Sequence, residues 1–105
     1  MLQYDRAEEH FQNIIDKNLT KDDLELAYCY HGLAQVSNEK ANNRLAIAHA
    51  NQALEYLLNN PALSENRLVS SCYNELGSAY THKKDYVSAL QCLSKALSTH
   101  SDNNK

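Results

Sequence analysis

The side chains able to carry out chemistry in this chain are histidines, cysteines and carboxylates, and they are scattered along its length. No metalloprotease His-Glu-x-x-His, Gly-x-Ser-x-Gly nucleophile turn, phosphate-binding loop or dinucleotide fingerprint occurs. Glu8, Glu9 and His10 are consecutive, so on a helix they point in different directions and favour a solvated face. We therefore expect no enzymatic activity, no cofactor and no metal. The histidines occupy five positions: His10, His31, His49, His82 and His100.

The cysteines do not form a recognisable site. Cys29, Cys72 and Cys92 are far apart in the sequence and include no Cys-x-x-Cys pair. We expect them to be small buried side chains inside helices, with a metal or redox role as the alternative. His31 is expected to pack between helices rather than to bind a ligand.

Composition favours a helical domain without nucleic-acid or membrane contacts. The 105 residues include two Gly and one Pro, so few residues interrupt helices. A net charge of -3 gives no electrostatic signal for nucleic acid. No apolar run reaches the roughly 18 residues of a membrane span, and the N-terminus has no apolar signal-peptide core. A cytoplasmic location is therefore expected.

Residues 73–97 contain the clearest helical pattern. Four residues recur on one face of a first helix, and a polar turn at 82–85 separates it from a second helix. Such a short turn predicts that the two helices are antiparallel. Gly77 costs about 1 kcal/mol inside a helix, which indicates a close approach of the second helix. The expected inner positions are Tyr73, Leu76, Gly77 and Tyr80, then Tyr86, Ala89, Leu90, Leu93, Ala96 and Leu97.

The motif YNELGSAY at 73–80, followed by A-x3-L at 89–93, resembles the tetratricopeptide repeat signature. That signature is W-x2-L-G-x2-Y, then A-x3-F, then Pro. Tyr73 stands in place of the Trp and Leu93 in place of the Phe, while Ser101 is near the position of the Pro. The resemblance implies an all-α fold, a right-handed superhelical stack of antiparallel helix pairs with about five helices.

The same pattern recurs along the whole chain and predicts one domain. Residues 3–17 match the second helix of an incomplete repeat, 22–58 form one repeat and 64–99 form another, with a disordered tail at 100–105. The repeat at 22–58 is expected to contain helices at about 22–37 and 43–58. Thr20 and Ser64 are the predicted N-caps of the helices that follow them.

The repeats are longer than the common tetratricopeptide period of about 34 residues, since Gly32 and Gly77 lie 45 positions apart. This spacing resembles the long variant found in kinesin light chains and in bacterial regulators. The resemblance implies a non-catalytic scaffold that binds a protein or peptide, as part of a signalling or regulatory protein.

In this family the first helix of each pair lines a concave groove. The corresponding positions in this chain would form a groove that is apolar on one side and hydrogen-bonding on the other. None of them is positively charged, which disfavours binding of a C-terminal carboxylate. The predicted groove residues are Leu26, Cys29, Leu33, Val36 and Ser37, and Ser71, Asn74, Ser78, Thr81 and His82.

A second hypothesis is self-association through the ends of the stack. An open end exposes apolar surface, and large exposed apolar patches mark interfaces. Tyr4, Phe11 and Ile14 are the residues predicted at such an end. Two explanations remain open at this point: the chain is a piece of a longer array, or two copies pack end to end as a homodimer.

Overall fold

The computed structural model describes the backbone of residues 2–103 and the side chains of residues 4–98. Within that range the chain is a compact bundle of five α-helices without strands, which confirms the predicted all-α class. The helices are α1 (Leu2–Asp16), α2 (Asp23–Glu39), α3 (Asn43–Leu58), α4 (Arg67–His82) and α5 (Tyr86–Asn103).

The N-terminus of α2 differs from the prediction by two residues. Asp22, not Thr20, is the N-cap, and its carboxylate accepts a hydrogen bond from the Leu24 amide at 3.1 Å. The Thr20 hydroxyl accepts instead from the Asp22 amide at 3.1 Å. Thr20 therefore stabilises the turn that precedes the helix. The bounds of α3 agree with the prediction.

The N-terminus of α4 lies later than predicted. Asn66 is the N-cap, and its side chain accepts from the Leu68 amide at 2.9 Å. The predicted cap, Ser64, donates from its hydroxyl to the Pro61 carbonyl at 3.2 Å. It therefore belongs to the turn after Pro61, and that turn delays the start of α4.

Helix α5 continues to Asn103, past the predicted end at 99. The predicted tail at 100–105 is therefore helical in its backbone as far as Asn103, and residues 104 and 105 lie outside the described range. The start of α5 is stabilised by Asp85, whose carboxylate accepts from the Ser88 amide at 3.2 Å and from the Ser88 hydroxyl at 2.8 Å.

Three helices end in the same backbone motif. After α2, the amide of Ala41 donates to Asn38 O at 3.0 Å and that of Asn42 donates to Ser37 O at 2.8 Å. This pair of bonds is a Schellman motif, which needs a left-handed residue. Ala41 supplies it with φ of 59°, and Asn18 after α1 and Lys84 after α4 do the same with φ of 49° and 70°.

The helices form two layers. The first layer is α2 and α4, which contact each other, and α3 packs against both of them. Helix α1 packs on α2, and α5 packs on α4. Across the described residues, no Cα atoms of α1, α3 and α5 approach each other within 8 Å. These three helices therefore form the second layer, and α2 is covered on three sides.

The core lies where α2, α3 and α4 meet. Small residues of α3 allow this close packing, since Ala46, Ala50 and Ala53 are fully buried. Their neighbours in the core are Ala27, Ala34, Leu54, Leu57, Leu68, Val69, Cys72 and Leu76. A part-buried polar contact also joins the first layer, because the Asn38 amide donates to Glu75 Oε2 at 2.7 Å and to Glu75 O at 3.1 Å.

Candidate functional site

The exposed side of α4 carries half of the predicted groove. Asn74, Ser78, Thr81 and His82 are exposed, and Ser71 is half-buried. The first three recur at intervals of four and three residues, so they form one row along the helix. The Thr81 hydroxyl donates to Gly77 O at 2.7 Å, so its proton is already used in a hydrogen bond within the helix. Asn74 and Ser78 are therefore the row's main groups for binding a partner.

The other half of the predicted groove is largely buried. Leu26 is half-buried, while Cys29, Leu33, Val36 and Ser37 are at most 5% exposed. The prediction fails here because α2 lies beneath α1, α3 and α4, so its apolar side chains belong to the interior. The structure thus presents the polar row of α4 without the apolar wall expected opposite it.

The residues predicted for self-association are used inside the chain. Tyr4, Phe11 and Ile14 are all half-buried. The Phe11 ring lies against Gly32, where an added Cβ would be 2.8 Å from Cδ2 of the ring. The Tyr4 hydroxyl donates to Glu39 Oε2 at 3.3 Å. Tyr4 and Phe11 therefore contact α2, while all three residues keep part of their surface exposed, and their role in self-association stays a prediction.

An acidic groove runs between α1 and α3. It has a volume of about 690 Å³ and is open to solvent. Leu33 of α2 lies in it, and Leu45 and His49 line it from α3. The wall from α1 consists of carboxylates and amides: Asp5, Glu8, Glu9, Gln12, Asn13 and Asp16.

One end of the acidic groove is already neutralised by this chain. Lys40 Nζ lies 2.6 Å from Asp5 Oδ1 and 3.6 Å from Glu8 Oε2. The hydrogen bond from Lys40 lowers the pKa of Asp5, and the same bond raises the pKa of Lys40. Burial lowers the pKa of His49, and the charge of Glu8 opposes that shift. The charge left for a ligand is therefore smaller than the number of carboxylates suggests.

An uncovered apolar face lies along α5. Tyr86, Leu90, Leu93 and Leu97 are 59%, 67%, 38% and 69% exposed. Their spacing places them on one side of the helix, and we call these four residues the α5 apolar face. The helical pattern predicts all four on the inner side. This is wrong for Tyr86, Leu90 and Leu97, which are largely exposed, whereas Leu93 contacts α4 at Gly77 with part of its side chain. Because α4 is the one described helix packed on α5, it covers a narrow strip around Ala89 and Ala96.

Along the described part of α5, the exposed neighbours of the apolar face are uncharged. The exposed residues beside it are Val87, Gln91, Ser94 and Ser98. Lys95 lies on the other side of the helix, with Nζ 5.6 Å from the centre of the Tyr73 ring on α4. An apolar partner at this surface would remove several large side chains from water.

The cysteines are held in apolar surroundings. Burial raises the pKa of Cys72 to about 12, and it also raises the pKa of Cys29 and Cys92. Since the thiolate is the reactive form, burial makes these thiols less reactive, most strongly Cys72. Over the described range, no three His, Cys, Asp or Glu side chains are placed to hold a metal ion.

Two further findings concern membrane-spanning helices and similarity to known proteins. In the part of the chain that the structure describes, no helix combines the length and apolar character needed to span a membrane. No protein-family model, curated protein or solved structure matches the chain.

Proposed function

We propose that this chain is a non-catalytic protein-binding module and that the α5 apolar face is its main binding surface. The observation that carries the proposal is the exposure of four large apolar side chains in one row, with uncharged neighbours on the side away from α4. Single exposed apolar residues are common on proteins, but a continuous patch marks an interaction surface.

We further propose that the helices form a tetratricopeptide-like, right-handed superhelical stack. Two features support this. The motif glycines, Gly32 and Gly77, lie at close helix contacts. The chain also alternates between the two layers, as stacked helix pairs do. Such modules serve as scaffold or sensor parts of signalling or regulatory proteins, and this is the setting we infer for the chain.

The polar row on α4 is the second surface of this proposal. The Asn74 amide has donors and an acceptor, so it suits the backbone of an extended peptide. Polar contacts exposed to water, however, contribute little net affinity. We therefore assign orientation of a partner to the row on α4 and most of the affinity to the α5 apolar face.

The test compares two matched substitutions. Leu90→Lys places a charge in the α5 apolar face, and Leu58→Lys makes the same change at a 45% exposed leucine of α3. Proteins retained by the wild type are identified, purified and titrated against all three chains. We expect Leu90→Lys to weaken binding at least about tenfold, as for loss of one buried anchor, and Leu58→Lys to leave it unchanged.

Two results would contradict the proposal. A purified partner that binds Leu90→Lys with wild-type affinity removes the α5 apolar face from the site. If, in addition, Asn74→Ala and Ser78→Ala leave the affinity unchanged, neither proposed surface binds the partner. Circular dichroism of each variant checks that helicity is retained, so that lost binding is not caused by unfolding.

A further inference from the structure

We propose that α5 pairs with α5 of a second copy of this chain, antiparallel about a two-fold axis, through the α5 apolar face. The inference rests on the proposed function, because it names the occupant of the same surface. It places the self-association expected at the ends of the stack on α5 instead of on the α1 residues Tyr4 and Phe11, which contact α2.

The first argument is the spacing of the α5 apolar face. Its residues follow one another at intervals of four, three and four positions. This is the alternation of the a and d positions of a coiled-coil seam. The series is the same in either chain direction, so an antiparallel copy matches it. Leu90 would then face Leu93 of the second copy, and Tyr86 would face Leu97, with the Tyr hydroxyl at the solvent edge.

The second argument is charge. The residues beside the α5 apolar face are uncharged, so two copies meet without like-charge repulsion. Lys83 and Lys84 are exposed and lie just before α5, separated from Tyr86 by the half-buried Asp85. In the antiparallel arrangement these lysines lie near the C-terminal end of the other α5, where the helix dipole is negative. A parallel arrangement would bring the lysines of the two copies together instead.

The third argument is the contrast with the acidic groove and with α1. The side of α1 that lines the acidic groove carries Asp5, Glu9 and Asp16, all exposed. A second copy docked there would place carboxylates in its interface. At the α5 apolar face there is no such cost, and each large side chain finds an equivalent one in the other copy. The two α4–α5 pairs would form a four-helix bundle.

The size of the face sets the expected strength. From Tyr86 to Leu97 the face extends about 16 Å along the helix. One helix face of this length is smaller than the roughly 800 Å² that each partner buries in a standard interface. We therefore expect a reversible dimer with a Kd in the micromolar range.

The experiment measures mass by sedimentation equilibrium from about 1 to about 500 µM, a range that brackets micromolar affinity. The wild type should shift from monomer to dimer. Leu90→Lys should raise the dimer Kd at least about tenfold, because the two-fold axis puts both lysines in one apolar seam. Leu58→Lys should dimerise like the wild type. Circular dichroism checks that both variants keep the wild-type helicity.

A cross-linking measurement tests the direction. Tyr86→Cys and Leu97→Cys are made separately, each with the half-buried Cys92 replaced by Ser. In the antiparallel pair the two new thiols face each other only in a mixture of the variants, since equivalent positions are about 16 Å apart. Mass spectrometry should find the 86–97 disulfide in the mixture. Disulfides formed within each variant alone would overturn the antiparallel arrangement.

The outcomes separate this inference from the proposed function. A wild type that stays monomeric over the whole range overturns the dimer. If Leu90→Lys still weakens the binding of another protein in that case, the protein-binding function stands without the dimer. A dimer that survives Leu90→Lys shows pairing through another surface. If the wild type is monomeric and its purified partner binds Leu90→Lys with wild-type affinity, both proposals for α5 are overturned.

Discussion

Leu93 of α5 lies directly over Gly77 of α4. A Cβ added at Gly77 would be 2.7 Å from Leu93 Cδ2 and 2.9 Å from Leu93 Cγ, both closer than ordinary contact. Gly32 has the same relationship to the ring of Phe11. At each glycine, therefore, a side chain of a neighbouring helix occupies the space that a Cβ would fill, and this contact offsets the helix propensity that glycine lacks.

The first prediction concerns this contact. Gly77→Ala gains about 1 kcal/mol of helix propensity but overpacks against Leu93, which typically costs 1–3 kcal/mol. We expect a net decrease in the free energy of unfolding. In a Leu93→Ala background the clash is absent, so the same change at Gly77 should increase stability by about 1 kcal/mol. Urea unfolding of the four chains measures the cycle, and equal effects of Gly77→Ala in both backgrounds would exclude the contact.

A second prediction concerns the end of α2. Ala41 holds the left-handed backbone of the Schellman motif with φ of 59°. This conformation costs a residue with a Cβ about 1–2 kcal/mol and costs glycine little. Ala41→Gly should therefore raise the free energy of unfolding by about 1 kcal/mol. Ala48→Gly, at an exposed position inside α3, should lower it by a similar amount. Thermal unfolding of both variants checks the opposite signs.

A third prediction concerns pH. Burial lowers the pKa of His31, and the nearby charge of Glu75 opposes that shift. The pKa of His49 is lowered for the same reason. The unfolded chain therefore binds protons at these histidines at higher pH than the folded chain does. The free energy of unfolding should fall as the pH decreases below about 6.5, the ordinary value for histidine.

The measurement is the urea midpoint between about pH 7.5 and about pH 5.5, above the range in which carboxylates titrate. His31→Gln and His49→Gln should each flatten the dependence. His10→Gln, at an exposed position, serves as the matched control substitution. A wild-type midpoint that is constant over this range would mean that neither histidine is buried as described.

The fourth prediction concerns thiol reactivity. Cys72 has no exposed surface, and its pKa is raised to about 12. Cys92 is half-buried, so it is the most accessible of the three. With iodoacetamide, Cys92 should be alkylated first and Cys72 last, and denaturant should remove the difference. Peptide mass mapping over time gives the order. Equal alkylation rates for Cys72 and Cys92 in the native protein would contradict the burial of Cys72.

The parts of the fold that the sequence predicts are those with local signals. The bounds of α3 follow from its apolar period and from Asn42, whose side chain accepts from the Leu45 amide at 3.3 Å. The close contact at Gly77 follows from the unusual presence of glycine within a helix. Both signals act over a few residues, so neighbouring elements do not change them.

The parts that the sequence does not predict depend on the surroundings of each helix. Leu33 and Leu90 have the same residue type and similar helical patterns, but Leu33 is 2% exposed and Leu90 is 67% exposed. The difference arises because α2 has three neighbours and α5 has one. The ends of α1, α2 and α4 also lack the glycine that usually marks a Schellman motif, so the sequence does not predict that motif there.

The order of the layers has a consequence for how the molecule opens. Within the described range, α1 is held through α2 and α5 through α4, whereas α2 and α4 are each held by three helices. Local opening therefore needs fewer broken contacts at α1 and α5 than at α2 and α4. Amide hydrogen exchange should be fastest in the two outer helices and slowest in α2 and α4, and pairing of α5 with a second copy would slow exchange in α5 while leaving α1 unchanged.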